Sequence, residues 1–382
     1  MNDERLILGR RSFHGLPWGP LARLDRGHSL LVVGPTQSGK TSSIVIPAIL
    51  SWPGPVVATS VKNDVVGVTA QWRTTLGNVQ YLEPGRDEGL TWNPMEGVHG
   101  LREALRVAQS LTTASSRGEA DFWNSLAVKL VAGLFVEAQQ RQRSIFDVAE
   151  VVEARRWQEW ISYEANSAHS AMLRSFLEYD LKTLDGVVTT AETMLLPWRF
   201  RQPTASMRQL VETSNTLYLC ATRSQQHAYE PLFRGALRRV LDDQQARHDA
   251  RLAKPLLLVL DEAATVASLE ELDQLAATLS GLQVTLLTVV QDFSQLVARW
   301  GPRAATIVNN HASRMVLAGL ADPTVATYLP EIFESREDRL VVALRMRPRN
   351  TSVVVAGRRP VFTVHIRPWW RQRHLRQRGR SN

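Results

Sequence analysis

The stretch VVGPTQSGKTSSIVIPAIL, Val32 to Leu50, limits what this chain can fold into more than any other, because it holds Gly34, four residues, then Gly39, Lys40 and Thr41. That is the G-x-x-x-x-G-K-[ST] spacing of a loop that cradles phosphate. Backbone N–H groups can wrap a phosphate only where side chains stay clear, so glycines bracket the turn and a helix N-terminus follows. The motif assigns Gly34, Pro35, Thr36, Gln37, Ser38, Gly39, Lys40, Thr41 and Ser42 to the cradle of a nucleoside triphosphate. Lys40 brings a mobile positive charge to the β and γ oxygens, and the Thr41 hydroxyl is placed to ligate Mg²⁺. The flanks agree: SLLVV reads as a buried strand entering the loop and KTSSIVI as a helix leaving it, which Pro47 should bend or end early.

A chain of 382 residues exceeds a typical single domain, so the phosphate loop belongs to one large α/β domain with an insertion, or to one of two domains. Cys220 is the only cysteine, which excludes an intrachain disulfide and suits a reducing cytosol. The nine histidines are scattered, without the paired spacing of a protein-built zinc site. No run reaches the roughly 18 apolar residues of a membrane span, and MNDERLIL lacks the apolar core of a signal peptide.

The net charge of +8 is unevenly spread. From Arg339 to Asn382 there are 12 arginines and no Asp, Glu or Lys, leaving 33 basic against 37 acidic residues in the remainder. The C-terminal end therefore favours an anionic partner: nucleic acid, a membrane surface or an acidic protein. RPWWRQRHLRQRGR, Arg367 to Arg380, is the candidate segment for nucleic acid. Arginines outnumber lysines 40 to 5, which weakens any argument from arginine abundance alone.

Short apolar runs recur after the loop. GPVVATS and NVQYLEP read as strands with a helix between them, the texture of a parallel sheet with both faces covered. From Pro94 to Pro197 the texture becomes helical. Phe122, Leu126, Leu130 and Leu134 fall at four-residue steps and are expected to form a buried stripe. TTASSRGEAD, Thr112 to Asp121, reads as a polar loop. The strands return at TLYLCAT, PLLLVLDEAA, VTLLTVVQD and SRMVLAGL. RLVVALRM, TSVVVAG and VFTVHI read as antiparallel edge strands, with turns at Arg349-Asn350 and Gly357. The expected organisation is a discontinuous nucleotide-binding domain over 1–95 and 205–370, an all-α insertion over 96–204, and a basic tail over 371–382, with both sets of strands in one mainly parallel sheet.

The apolar run Leu257 to Leu260 ends in Asp261 and Glu262. A buried strand closing on two carboxylates downstream of a phosphate loop is the expected second half of a nucleoside triphosphatase site. Asp261 holds the Mg²⁺ hydration shell, and Glu262 polarises the attacking water as general base. Gln291 ends the next strand, where an amide can bond phosphate or water and report hydrolysis to the rest of the fold. The catalytic set is thus Lys40, Glu262 and Gln291, the metal set Thr41 and Asp261, and the cofactors ATP and Mg²⁺.

These motifs, with LEPGRDEGLTWNPM, DFWNSLAVKLVAGLF and TVVQDFSQLVARWGPRAATIVNNHASRMVLAG, resemble the type IV coupling proteins, the TraG/TraD-like ATPases of bacterial conjugation and type IV secretion within the HerA/FtsK branch of RecA-like motors. The similarity runs in order over roughly Gly27 to Pro330. It implies a RecA-like P-loop domain interrupted by an all-α domain, a hexameric ring, and ATP hydrolysis coupled to moving single- or double-stranded DNA, or DNA-bound protein, to a secretion channel. The implied partners are DNA, relaxase or other secretion substrates, and the type IV secretion machinery.

Two features depart from the pattern. Relatives usually carry an N-terminal membrane anchor, whereas here the phosphate loop opens at residue 34, so the expected location is the cytoplasm, with the inner face of the membrane reached through partners. Relatives also place an arginine ahead of the glutamine strand to reach a neighbour's γ-phosphate. AATLSGLQV has none, and Arg223, Arg303 or Arg314 could substitute. Two other readings remain open at this stage: a soluble HerA-like DNA-processing motor, and a substrate receptor whose nucleotide acts as an assembly switch.

Overall fold

A computed structural model describes residues 4–12, 16–60, 64–83, 92–112, 119–161, 167–199, 203, 207, 209–221, 226–265, 269, 271–320, 322, 324–329, 348, 350–357 and 359–379. The run RLVVALRM, most of LEPGRDEGL, Arg223 and Arg349 lie outside the described residues.

Eleven strands form one sheet. In chain order they are β1 (Ile7–Arg11), β2 (Leu21–Arg23), β3 (Leu30–Val33), β4 (Val56–Ser60), β5 (Val79–Leu82), β6 (Thr216–Cys220), β7 (Leu256–Leu260), β8 (Val284–Val290), β9 (Ser313–Leu317), β10 (Thr351–Ala356) and β11 (Phe362–His365). Their spatial order is β2-β1-β11-β10-β9-β3-β8-β7-β4-β6-β5. From β9 to β6 every pairing is parallel, and from β9 outward to β2 every pairing is antiparallel. Strands β3, β6, β7 and β8 are buried at every residue, as unbroken apolar runs require when helices cover both faces. The hairpin partners β1 and β2 were not legible as strands, because ILGRR and LAR offer no apolar run.

The chain forms two compact units. The first joins Met1–Tyr81, Gln209–Arg223 and Asp243–Asn382 around the sheet. One face of that sheet, with Leu30, Val32, Leu257, Val259 and Met315, packs in a core with Ile46, Ile49 and Leu50 of helix α1 (Ile46–Ser51). Thr41–Val45 form a single π-turn ahead of α1. Pro47 lies inside a continuous helical run from Lys40 to Ser51, directly after the π-turn, a local widening of the kind that accommodates a missing N–H. The helix therefore runs four residues past the proline.

Arg73, near the end of α2 (Asp64–Thr74), is buried in this unit. It donates to Thr216 Oγ1 at 2.7 Å, Trp52 O at 2.6 Å, Gly54 O at 2.7 Å and Ser214 O at 2.9 Å. Burial lowers its pKa to about 10.

The C-terminal segment is folded back onto the same core instead of trailing as a tail. The helix Arg373–Arg378 buries Leu375. Arg378 donates to Leu50 O at 2.7 Å and lies 4.6 Å over the Trp72 ring.

The second unit joins Leu82–Arg208 and Ser224–Asp242. Its described helices are α3 (Leu101–Ser110), α4 (Glu119–Gln140), α5 (Ile145–Glu153), α6 (Ala168–Ser175), α7 (Leu181–Leu195) and the first part of α8 (Gln226–Asp249), beside short 3₁₀ turns. Taking in the start of α8, it exceeds the expected 96–204. Helix α4 is its axis, with Leu126, Leu130, Leu134 and Phe135 buried. Phe122 departs from the expected stripe and is 53% exposed. Gly133 lets α6 approach, since a Cβ there would lie 2.7 Å from the Leu173 side chain. Ser144 and Asp147 form a reciprocal capping box at the start of α5.

Candidate nucleotide-binding site

Parallel topology places the loops after β3, β7 and β8 along one edge of the sheet, where open α/β folds hold their ligands. The chain leaves β3 directly into Gly34, whose N–H donates to Val290 O at 3.3 Å. No larger residue fits at Gly34, because a Cβ would lie 2.8 Å from Leu317 Cβ and 2.9 Å from Ser38 Oγ. Gln37 and Gly39 take the left-handed backbone, with φ of 61° and 89°. Lys40 is buried, and its ammonium donates to Gly34 O at 2.5 Å and Pro35 O at 2.7 Å, which holds the charge over the loop. Burial lowers the pKa of Lys40, and the negative charges of Asp261, Glu262 and Asp292 oppose that shift.

The next residue completes the link between the two motifs. The Thr41 hydroxyl donates to Asp261 Oδ2 at 3.2 Å. Asp261 follows β7, and its own carbonyl accepts from Thr59 Oγ1 of β4 at 3.1 Å, so the neighbouring strand fixes the backbone that carries the carboxylate. Burial raises its pKa to about 6. The Thr41 hydrogen bond pulls it down, Glu262 and Asp64 push it up, and Lys40 pulls it down.

Glu262 takes a left-handed conformation at φ 53°, uncommon for a residue with a side chain. The turn is closed by Thr265 N–H to Glu262 O at 2.8 Å and joined to β8 by Ala263 N–H to Val289 O at 3.0 Å. A strained non-glycine residue at a strand end beside a phosphate loop is the kind of position where backbone strain collects at functional sites.

Gln291 follows β8, the strand next to β3. Its N–H donates to Gln295 Oε1 at 3.0 Å, and Gln295 N–H donates to Asp292 Oδ1 at 2.7 Å, capping α10 (Phe293–Trp300). Asp322 Oδ2 accepts from Phe293 N–H at 2.8 Å, a second hold on the same helix start. Asp292 and Gln295 went unassigned in the sequence reading, although the D-x-x-Q spacing ahead of an apolar run signals a helix cap.

The donor set suits a hydrated Mg²⁺: a hydroxyl and a carboxylate, both oxygen, already in contact. It also suits a polyphosphate, since Ser38 Oγ is buried in the loop without a hydrogen-bond partner. Of the arginines considered for a role in trans, Arg303 faces Asp273 at 3.7 Å. Arg314, on β9, donates to His311 O at 3.2 Å.

With this geometry established, comparison with known proteins gives the class. The family model for the type IV secretory system conjugative DNA transfer proteins matches residues 9–333. The chain belongs to that family. It is 23% identical over 313 residues to the conjugal transfer protein TraG of Escherichia coli, covering 71% of this chain and 49% of TraG. It is 23% identical over 334 residues to VirD4 of Rhizobium radiobacter, covering 80% of this chain and 48% of VirD4. The chain thus spans about half the length of the relatives it matches. Among solved structures it resembles the plasmid coupling protein TrwB in complex with ADP and Mg²⁺, with a TM-score of 0.68, 18% identity, and coverage of 95% of this chain and 94% of that one. The fold is therefore the RecA-like P-loop fold of a coupling protein, with a mainly parallel central sheet. Among the described residues no helix is long and apolar enough to cross a membrane.

Proposed function

We propose that the chain binds ATP with Mg²⁺ and hydrolyses it as the motor of a type IV coupling protein, passing DNA or a DNA-bound protein to a conjugative secretion channel. The observation that carries this reading is the Thr41–Asp261 hydrogen bond with Lys40 buried beside it, which joins the phosphate loop to the carboxylate strand. In this mechanism the cradle from Gly34 to Ser42 grips the phosphates through backbone N–H groups, and Lys40 leaves its two carbonyls to meet the β and γ oxygens. Thr41 and Asp261 would hold Mg²⁺, which supplies charge neutralisation along the phosphates. Glu262 accepts a proton from the attacking water, and Gln291 orients that water and passes the γ-phosphate state to α10 through Gln295. Family membership, and the DNA transfer named for that family, support DNA, secretion substrates and the secretion machinery as partners. The hexameric ring and a place at the inner face of the membrane, reached through partners, belong to the same proposal.

The test is ATP turnover across protein concentration, with and without single-stranded and duplex DNA at low salt. The expected result is turnover that rises with protein concentration and with DNA and is abolished by Lys40→Ala. Turnover indifferent to DNA and first order in protein would overturn the motor reading.

A further inference from the structure

A pocket lies on the sheet unit, lined by none of the cradle residues from Gly34 to Ser42. It has a volume of about 250 Å³, and none of Lys40, Thr41, Asp261, Glu262 or Gln291 lines it. Its wall carries Arg5, Arg10, Arg367, Arg371, Arg373 and His374, and among the described residues no acidic side chain lines it. The five arginines come from three places in the chain: β1 and the residues before it, the exit of β11, and the C-terminal turn. Arg10, Arg367, Arg371 and Arg373 have no carboxylate partner among the described residues. Apolar groups complete the wall, among them Leu8, Pro47, Trp52 and Leu375.

Such a cluster repels itself, although all five arginines are exposed and water screens part of that repulsion. The fold nevertheless fixes it in place. Leu375 is buried, Arg378 is anchored on Leu50 O, and Gln372 donates to Arg367 O at 2.7 Å. Arg367, Arg371 and Arg373 are therefore presented by an anchored segment rather than a free tail.

We propose that this pocket binds a phosphoryl anion. Guanidinium groups match phosphate oxygens in paired, planar hydrogen bonds, and several from different segments suit a multiply charged group better than a lone carboxylate. The volume is many times the roughly 10–15 Å³ that a single water needs on the same measure, enough for a pyrophosphate-sized group. The site also touches Ser43, Pro47, Ala48 and Ser51, on the π-turn and helix that start at Thr41. Its occupant therefore bears on the same segment as the nucleotide loop.

Isothermal titration of pyrophosphate into the full chain tests this, run with Mg²⁺-ADP saturating the nucleotide loop and repeated in Lys40→Ala so that phosphate binding at the loop is not counted. The expected result in both is one bound equivalent, weakened about tenfold or more by Arg10→Glu with Arg371→Glu, a loss of about 1.4 kcal/mol, and unchanged by Arg106→Glu on α3. The gentler pair Arg10→Gln with Arg371→Gln, its melting curve checked against wild type, guards against misfolding and should weaken binding in the same direction. Absence of binding in the wild type, or binding undiminished in both pairs, would overturn the proposal. Displacement of pyrophosphate by a short oligothymidylate would assign the site to a nucleic-acid strand, and failure to displace would assign it to a free phosphorylated ligand.

Discussion

The two halves of the one sheet differ in strand direction and serve different ends. From β9 to β6 the strands run parallel, so the loops leaving β3, β7 and β8 meet at one edge and bring Gly34, Asp261 and Gln291 together from distant parts of the chain. From β9 to β2 the strands alternate in direction, so successive loops fall at opposite ends and no single edge collects them. That half instead carries Arg10 and leads into Arg367, two of the arginines that line the pocket. Strand direction, more than strand composition, decides where chemistry can assemble.

Several substitutions would break or sharpen this contrast. On the parallel half, Arg73→Met leaves three carbonyls and the Thr216 hydroxyl without their buried donor. It should cost about 3–5 kcal/mol in urea denaturation. A loss below about 1 kcal/mol would show that this half does not depend on its buried arginine.

The Asp261 carboxyl gives a pH signature next in size. Its folded pKa of about 6 exceeds the ordinary value of 3.8, so the folded chain holds an extra proton between those pH values. Its contribution to stability therefore declines as pH rises from about 4 to about 6, and the full cost, about 3 kcal/mol, persists above that window. Asp261→Asn should melt higher than the nucleotide-free wild type at pH 8, and the two curves should converge near pH 4. Mg²⁺-dependent nucleotide binding should move oppositely in the wild type, strengthening as the carboxylate ionises.

On the antiparallel half, Gly9 sits at φ 139°, and a Cβ there would lie 2.6 Å from His365 O. Gly9→Ala should cost about 1–3 kcal/mol by thermal melting and leave ATP binding intact. Impaired nucleotide binding in that variant would mean the two halves are not separable. The smallest effect belongs to the helical unit, where Ser144→Ala removes the capping box of α5. A loss of about 1 kcal/mol is expected, without change in ATP turnover per folded molecule.

The sequence revealed the parallel half because buried parallel strands are continuous apolar runs. The motif from Gly34 to Thr41, the Leu257–Leu260 run ending in Asp261, and the Val284–Val290 run before Gln291 all stood out. Sheet order did not, since pairing joins residues hundreds of positions apart and no local pattern encodes it. The edge strands β1 and β2 were missed because ILGRR and LAR are short and partly charged, as edge strands often are. The C-terminal arginines looked like a tail because composition records charge and says nothing of the single buried Leu375 that anchors them. At the site, Thr41 and Asp261 were read as the two residues that hold Mg²⁺; their direct hydrogen bond was not foreseen. Nor was the role of Gln295: the D-x-x-Q spacing from Asp292 marks a helix cap but does not say that the glutamine amide will accept from Gln291 N–H, four residues back.

The most direct test of the central claim, that the parallel half assembles one nucleotide site from separate strand ends, is Glu262→Gln assayed for both ATP binding and hydrolysis. The account predicts Mg²⁺-ATP binding within a few-fold of wild type and turnover reduced by about 10²–10⁴. Turnover close to wild type in that variant would contradict it.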